Sequence, residues 1–125
     1  MKTTLWIAAG AILGANARYW VGIWAAARFG TGLPYGTLIV NLAGSFLLGF
    51  LVVLGTSRVG LPTEIRLFLA VGFLGSFTTF SSYSAETLLL QESAGTTRAL
   101  TNILANNGGG LIAAWIGATL ARALG

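Results

Sequence analysis

Long apolar runs separated by short polar punctuation organise this chain. The first runs from about Thr4 to Ala27, the second from about Gly36 to Thr56, the third from about Glu64 to Glu92 and the fourth from about Arg98 to Arg122. Each meets the requirement of roughly 20 mostly apolar residues for a helix that crosses a bilayer. None keeps the alternation of a half-buried strand, and lipid admits only helices and closed barrels. The pattern therefore predicts an all-α integral membrane protein with four transmembrane helices per subunit. FGTGLP, SRVGLP and ESAGTT separate the runs, too short for a soluble domain, so residues 1–125 read as one domain. Pro34 and Pro62 sit where a new helix can begin. The opening MKTTLWIAAGAILGANA has leader-like features: Lys2, an apolar core and Ala15-Asn16-Ala17 as a small-x-small site. Apolar character resumes after Arg18 and continues to Ala27, so a span is expected there rather than a cleaved leader.

The third run departs from a plain apolar helix. A straight helix from Glu64 to Glu92 would reach about 42 Å at about 1.5 Å per residue, against a hydrocarbon core of about 30 Å. Within it lies GFLGSFTTFSSYSAE, Gly72 to Glu86. Gly72 and Gly75 weaken the helix, and the hydroxyls from Ser76 to Thr79 compete for backbone hydrogen bonds. A break is expected there, and non-helical backbone at that depth persists only if it is buried or binds something. Beyond it, Phe77, Phe80 and Tyr83 recur three apart as an expected aromatic stripe. Ser81 and Ser84 form a hydroxyl line beside it, and Glu86 comes next.

Two other runs carry polar faces. Thr37, Asn41, Ser45 and Gly49 recur every four residues in the second. Asn102, Asn106 and Gly110 do so in the fourth, with Asn107 alongside. Such faces serve as helix–helix glue or line a pathway. Ring edges are electropositive, and amide and hydroxyl groups donate hydrogen bonds. A path lined by both suits a small anion, replacing its hydration shell with oriented donors. Arg18, in ANARYW, either snorkels to the interface marked by Tyr19 and Trp20 or holds a positive potential at a vestibule.

Composition narrows the chemistry. Of 125 residues, 55% are hydrophobic and 8% charged, far below the roughly one quarter charged of globular chains. Mean hydropathy is +0.81. Cysteine, histidine and aspartate are absent, and Glu64, Glu86 and Glu92 are the only acids. That inventory excludes disulfides, thiolate nucleophiles and His-based metal or acid–base sites, so no enzyme is expected. The seven Lys and Arg are scattered, which gives no nucleic-acid surface. With four spans, Lys2, Arg58, Arg66 and Arg122 fall on one side and Arg28 and Arg98 on the other, with Arg18 near the latter. This positive-inside bias is weak. A chain that inserts both ways up would make an antiparallel homodimer natural, supplying by pairing the symmetry that inverted repeats supply within one chain.

The motif from Gly72 to Glu86 resembles that of the third span of the Fluc (CrcB-like) bacterial fluoride channels. Gly36-Thr-Leu-Ile-Val-Asn41 with Gly44, and Gly10-x-x-x-Gly14 followed by Arg18, are similar to the family as well. The resemblance covers nearly the whole chain. It implies an antiparallel, dual-topology homodimer in the bacterial inner membrane, with a broken third helix in each four-helix subunit. It further implies two fluoride pores lined by both subunits and a central sodium ion, structural rather than transported. By motif position, the carbonyls of Gly75 and Thr78 would hold the sodium. Asn41, Phe80, Ser81, Ser84 and Asn106 fall on the fluoride path, and Arg18, Thr37 and Glu86 near a vestibule. Tyr83 stands at the second pore aromatic, normally Phe, where its hydroxyl adds a donor or narrows the path. Asn102 and Asn106 stand where the family more often has Tyr and Ser.

The partners implied are fluoride, a second copy of the chain and lipid, with no nucleic acid and no soluble protein. No nucleotide-binding G-x-x-x-x-G-K-[ST] is present, and a passive path suffices for export. An inside-negative potential drives an anion outward by about 2.3 kcal/mol per 100 mV. A small proton-coupled multidrug exporter, also an antiparallel dimer, is the main alternative, but it needs a carboxylate deep in a span and the first run has none. A purely structural protein would need neither the break nor the adjoining aromatics and hydroxyls.

Overall fold

The structure, a computed structural model, describes residues 1–125. It is entirely helical. Helix α1 spans Lys2–Phe29 and α2 spans Tyr35–Thr56. The third run starts as α3, Thr63–Arg66, passes into a π-helical stretch over Leu67–Leu74 and ends in a last turn, α4, Gly75–Phe77. After two extended residues it resumes as α5, Phe80–Ala94, and α6 covers Thr96–Leu124. No interruption separates Ala17 from the rest of α1.

Three helices are long and apolar enough to cross a membrane: Tyr35–Thr56, the interrupted Thr63–Ala94 taken as one, and Thr96–Leu124. Helix α1 matches them in length at 28 residues, but Asn16 and Arg18 interrupt its apolar character. Only 16 of 125 residues are buried. Trp20, Trp24, Leu111 and Trp115 lie exposed among many other large apolar side chains. Water would not tolerate that surface and lipid does, so this is a multi-pass membrane protein.

Two close helix pairs build the fold. A Cβ at Gly10 or Gly14 of α1 would collide with the backbone oxygens of Phe68 and Phe73 in the π-helical stretch. On the other side, a Cβ at Gly49 of α2 would strike the Ala114 carbonyl, and one at Gly117 of α6 the Phe46 carbonyl. Small residues let backbones meet where no hydrophobic force drives helices together in lipid. The small apolar core lies beneath the break: Val40, Leu74 and Phe77, with Ala17, Val21, Leu51 and Phe73 packed against it.

The break is narrower than expected. Gly75 stays right-handed helical, with φ −61° and ψ −31°, so it does not interrupt the helix. Thr78 and Thr79 alone are extended, with ψ of 156° and 118°. The aromatic stripe is likewise corrected. The extended pair rotates α5 relative to α4, so Phe77 is buried and stacks on Phe73 at 5.4 Å. Phe80 and Tyr83 form a separate tilted pair, also 5.4 Å apart.

Candidate functional site

The break is held by its own capping residue and by groups from two other helices, α1 and α2. The Thr79 side chain caps α5 by accepting a hydrogen bond from the Ser82 N–H at 3.1 Å, which satisfies one of the orphan donors of a helix start. Asn41 of α2 grips the Thr79 backbone on both sides. Its Oδ1 accepts from the Thr79 N–H at 2.8 Å and its Nδ2 donates to the Thr79 carbonyl at 3.1 Å. On the N-terminal side, Arg18 Nε of α1 donates to the Ser76 carbonyl at 3.2 Å. Thus Arg18, for which the sequence left two roles open, reaches inward and braces the end of α4.

From Asn41 a chain of amides runs through α6 and returns to α5. Asn41 Nδ2 donates to Asn106 Oδ1 at 2.9 Å. Asn106 Nδ2 donates to Asn102 Oδ1 at 3.0 Å and to the Asn102 carbonyl at 3.0 Å. Asn102 Nδ2 donates to Thr87 Oγ1 at 2.8 Å, and Thr87 donates to the Tyr83 carbonyl at 2.7 Å. Both ends are backbone groups of fixed polarity, a Thr79 N–H and a Tyr83 C=O. Each amide therefore has one permitted orientation. Asn102 and Asn106 are buried, Asn102 at 2% exposure, and buried amides of this kind need every partner.

Two cavities adjoin the break and share Thr79. One, of about 240 Å³, is lined by Asn41, Ser45, Phe80, Tyr83, Asn106 and Asn107 among others. It brings together four of the predicted path residues: Asn41, Phe80, Tyr83 and Asn106. The other, of about 400 Å³, gathers Arg18, Thr37 and Glu86, the three predicted vestibule residues, together with Ser82. There Thr37 Oγ1 donates to Glu86 Oε1 at 2.9 Å, while Glu86 Oε2 is buried without a partner. Ser81 and Ser84 lie outside both cavities on an exposed part of α5. Ser84 donates back to the Phe80 carbonyl at 2.9 Å, and Ser81 lies 3.3 Å from the Thr79 hydroxyl. Phe80 is 76% exposed on a single chain and Tyr83 only 8%.

Sequence reasoning gave no role to Ser82 or Thr87, counted Thr79 only among the hydroxyls that weaken the helix, and placed Asn107 only beside a polar face. Thr79 and Ser82 were legible in principle, since a Thr followed three residues later by a helical N–H is a capping pattern. Asn107 and Thr87 depend on the rotation of α6 against α5, which no local pattern reveals.

The hydrogen bonds formed at the break use the Ser76 and Thr79 carbonyls but not those of Gly75 and Thr78. The latter two are hard oxygen donors of the kind alkali and alkaline-earth cations prefer. No cluster of acidic, His or Cys side chains offers a competing metal site. The Thr78 carbonyl shares its planar peptide with the Thr79 N–H, so the Asn41 hydrogen bond on one edge fixes the carbonyl on the other.

Comparison with known proteins agrees along almost the whole length. The family model described as CrcB-like protein, Camphor Resistance (CrcB), matches residues 5–118. A Roseiflexus sp. (strain RS-1) protein is 49% identical over 118 residues, 94% of this chain and 95% of its own. One from Sulfurihydrogenibium sp. (strain YO3AOP1) is 48% identical over 124 residues, 99% of this chain and 100% of its own. One from Chloroflexus aurantiacus is 46% identical over 125 residues, 100% of this chain and 99% of its own. All three relatives bear the name fluoride-specific ion channel FluC. With a match of this extent and a broken third helix bracketed by two polar cavities, the chain belongs to the CrcB-like protein family.

Proposed function

We propose that this chain forms a fluoride-selective channel that passively exports fluoride across a bacterial inner membrane. The observation that carries the proposal is the cleft at the helix break, where Asn41, Phe80, Tyr83 and Asn106 converge beside a second cavity holding Arg18. The relatives' names supply the ion. Arg18 gives the vestibule a positive charge, which concentrates anions at its mouth. The electropositive edge of Phe80, at the lip of the cleft, then meets the ion. Asn41 serves the path by holding the Thr79 backbone, since both of its N–H groups are engaged within the chain.

Four helices then cross the membrane, α1 included, and two chains pair antiparallel with two pores between them. Support for pairing comes from Phe80, an aromatic 76% exposed at the lip of a polar cleft, and from the weak charge bias of the loops. The Gly75 and Thr78 carbonyls are the residues that would hold a structural sodium, which would supply fixed positive charge at the break. One chain provides two such donors, so a second copy is needed to complete the set. Purified protein in liposomes, with a potassium gradient and valinomycin, tests the channel. Rapid fluoride loss to an electrode with chloride retained is the expected result. Retention of both ions by folded protein contradicts it.

A further inference from the structure

The amide hydrogens facing the cleft at the break are all committed. Those of Asn41 go to Thr79 and Asn106, and those of Asn106 go to Asn102. Asn107 Nδ2 donates to the Ile103 carbonyl at 2.9 Å and to the Tyr83 hydroxyl oxygen at 2.7 Å. A carboxamide nitrogen has two hydrogens, and these two bonds use both. The Ile103 carbonyl only accepts, which fixes the nitrogen end of Asn107. The Tyr83 oxygen is therefore the acceptor in its bond with Asn107. Its own hydrogen has no acceptor in the chain, although a buried phenol O–H ordinarily finds one. Thr79 and Thr78, also in the cleft, are bonded to Ser81 and to the Leu74 carbonyl. Ser45 on α2 is the other lining hydroxyl outside any hydrogen bond, but nothing orients it. Tyr83 is oriented, because Asn107 occupies one side of its oxygen.

We propose that the Tyr83 hydroxyl is a hydrogen-bond donor to the permeating anion and that Asn107 is the positioning residue that turns its hydrogen into the cleft. This rests on the channel function proposed above. A hydrogen bond from a neutral O–H to an anion is charge-assisted and stronger than a neutral one. A small, strongly basic anion such as fluoride gains most from it. The site thus adds a directed donor to the ring-edge contact that a phenylalanine would offer alone.

The test measures fluoride current against fluoride concentration for wild type, Tyr83→Phe, Asn107→Ala and the double variant, each checked for folding by gel filtration. Tyr83→Phe removes one atom and raises the half-saturating fluoride concentration about tenfold. Asn107→Ala, at an exposed position, raises it by a smaller factor of roughly two to five, because the hydroxyl is kept but no longer held. The double variant matches Tyr83→Phe, since Asn107 acts only through that hydroxyl. An unchanged half-saturation in either single variant, or effects of the two that multiply, overturns the assignment while leaving the channel intact. A wild-type protein without fluoride current overturns the channel function itself and this donor role with it.

Discussion

Asn41→Asp exchanges an N–H₂ for an oxygen at the point where the amide chain meets the break. The Asn41 Oδ1 contact with the Thr79 N–H survives. The new oxygen faces two acceptors, the Thr79 carbonyl and Asn106 Oδ1, at the 3.1 and 2.9 Å distances where donated bonds stood. Asn106 cannot turn to compensate, because its nitrogen is bonded to Asn102. Two hydrogen bonds are lost, each leaving a sheltered acceptor unsatisfied at about 1–3 kcal/mol. A charge without a partner is added as well. The total is about 3–5 kcal/mol. At the few degrees per kcal/mol typical of domains this size, the unfolding midpoint drops by roughly 10 °C or more. Thermal unfolding in detergent, followed by tryptophan fluorescence at fixed protein concentration, reads this directly. Asn41→Ala removes the bonds without adding a charge, so it falls between the wild type and Asn41→Asp. A midpoint for Asn41→Asp within two or three degrees of wild type, or above that of Asn41→Ala, refutes this orientation of the amides.

Other perturbations separate the remaining parts of the mechanism. Thr79→Val keeps the shape of the cap and loses its bond to the Ser82 N–H, costing about 1 kcal/mol in the same unfolding assay; no change would show that the hydroxyl does not cap α5. Gly117→Ala places a Cβ against the Phe46 carbonyl and lowers stability by about 1–3 kcal/mol, whereas the same change at Gly108, with open space around it, does not; equal effects would contradict the α2–α6 packing. Glu86→Gln removes a negative charge from the cavity that holds Arg18. It raises fluoride flux at low ionic strength by about twofold, from roughly 0.5 kcal/mol of repulsion across a wet cavity, and the gain fades as salt is added; a salt-independent effect would count against an electrostatic vestibule. Replacing sodium by N-methylglucamine lowers the unfolding midpoint of the purified protein, and an unchanged midpoint would remove the cation from the proposed break site.

The helical architecture was legible because membrane helices must satisfy their backbones internally and be long enough to cross. The apolar runs starting near Gly36, Glu64 and Arg98 lie on α2, the broken third helix and α6 to within a few residues. The gathering of Asn41 with Asn106 came from their periodicity on two faces, and that of Arg18, Thr37 and Glu86 from the family motifs. What the sequence hid is three-dimensional. The π-helical stretch over Leu67–Leu74 lies against α1 at Gly10 and Gly14, and composition alone does not distinguish it from α-helix. The break was expected to involve Gly75, yet Asn41, some 38 positions from Thr79, grips the extended backbone just beyond it. Asn102 and Asn107 differ in sequence by five places and play opposite parts. One closes the amide chain onto Thr87 and the other holds the Tyr83 hydroxyl.

Selective passage of fluoride is read from a bi-ionic reversal potential. Purified protein in a planar bilayer is given fluoride on one side and chloride on the other at equal concentration. A fluoride-selective passive channel gives a current that reverses far from zero, at the sign set by fluoride permeation, and persists without any proton gradient. A reversal potential near zero would show an unselective pore, and current present only with a proton gradient would show a coupled exporter; either contradicts selective passive passage of fluoride.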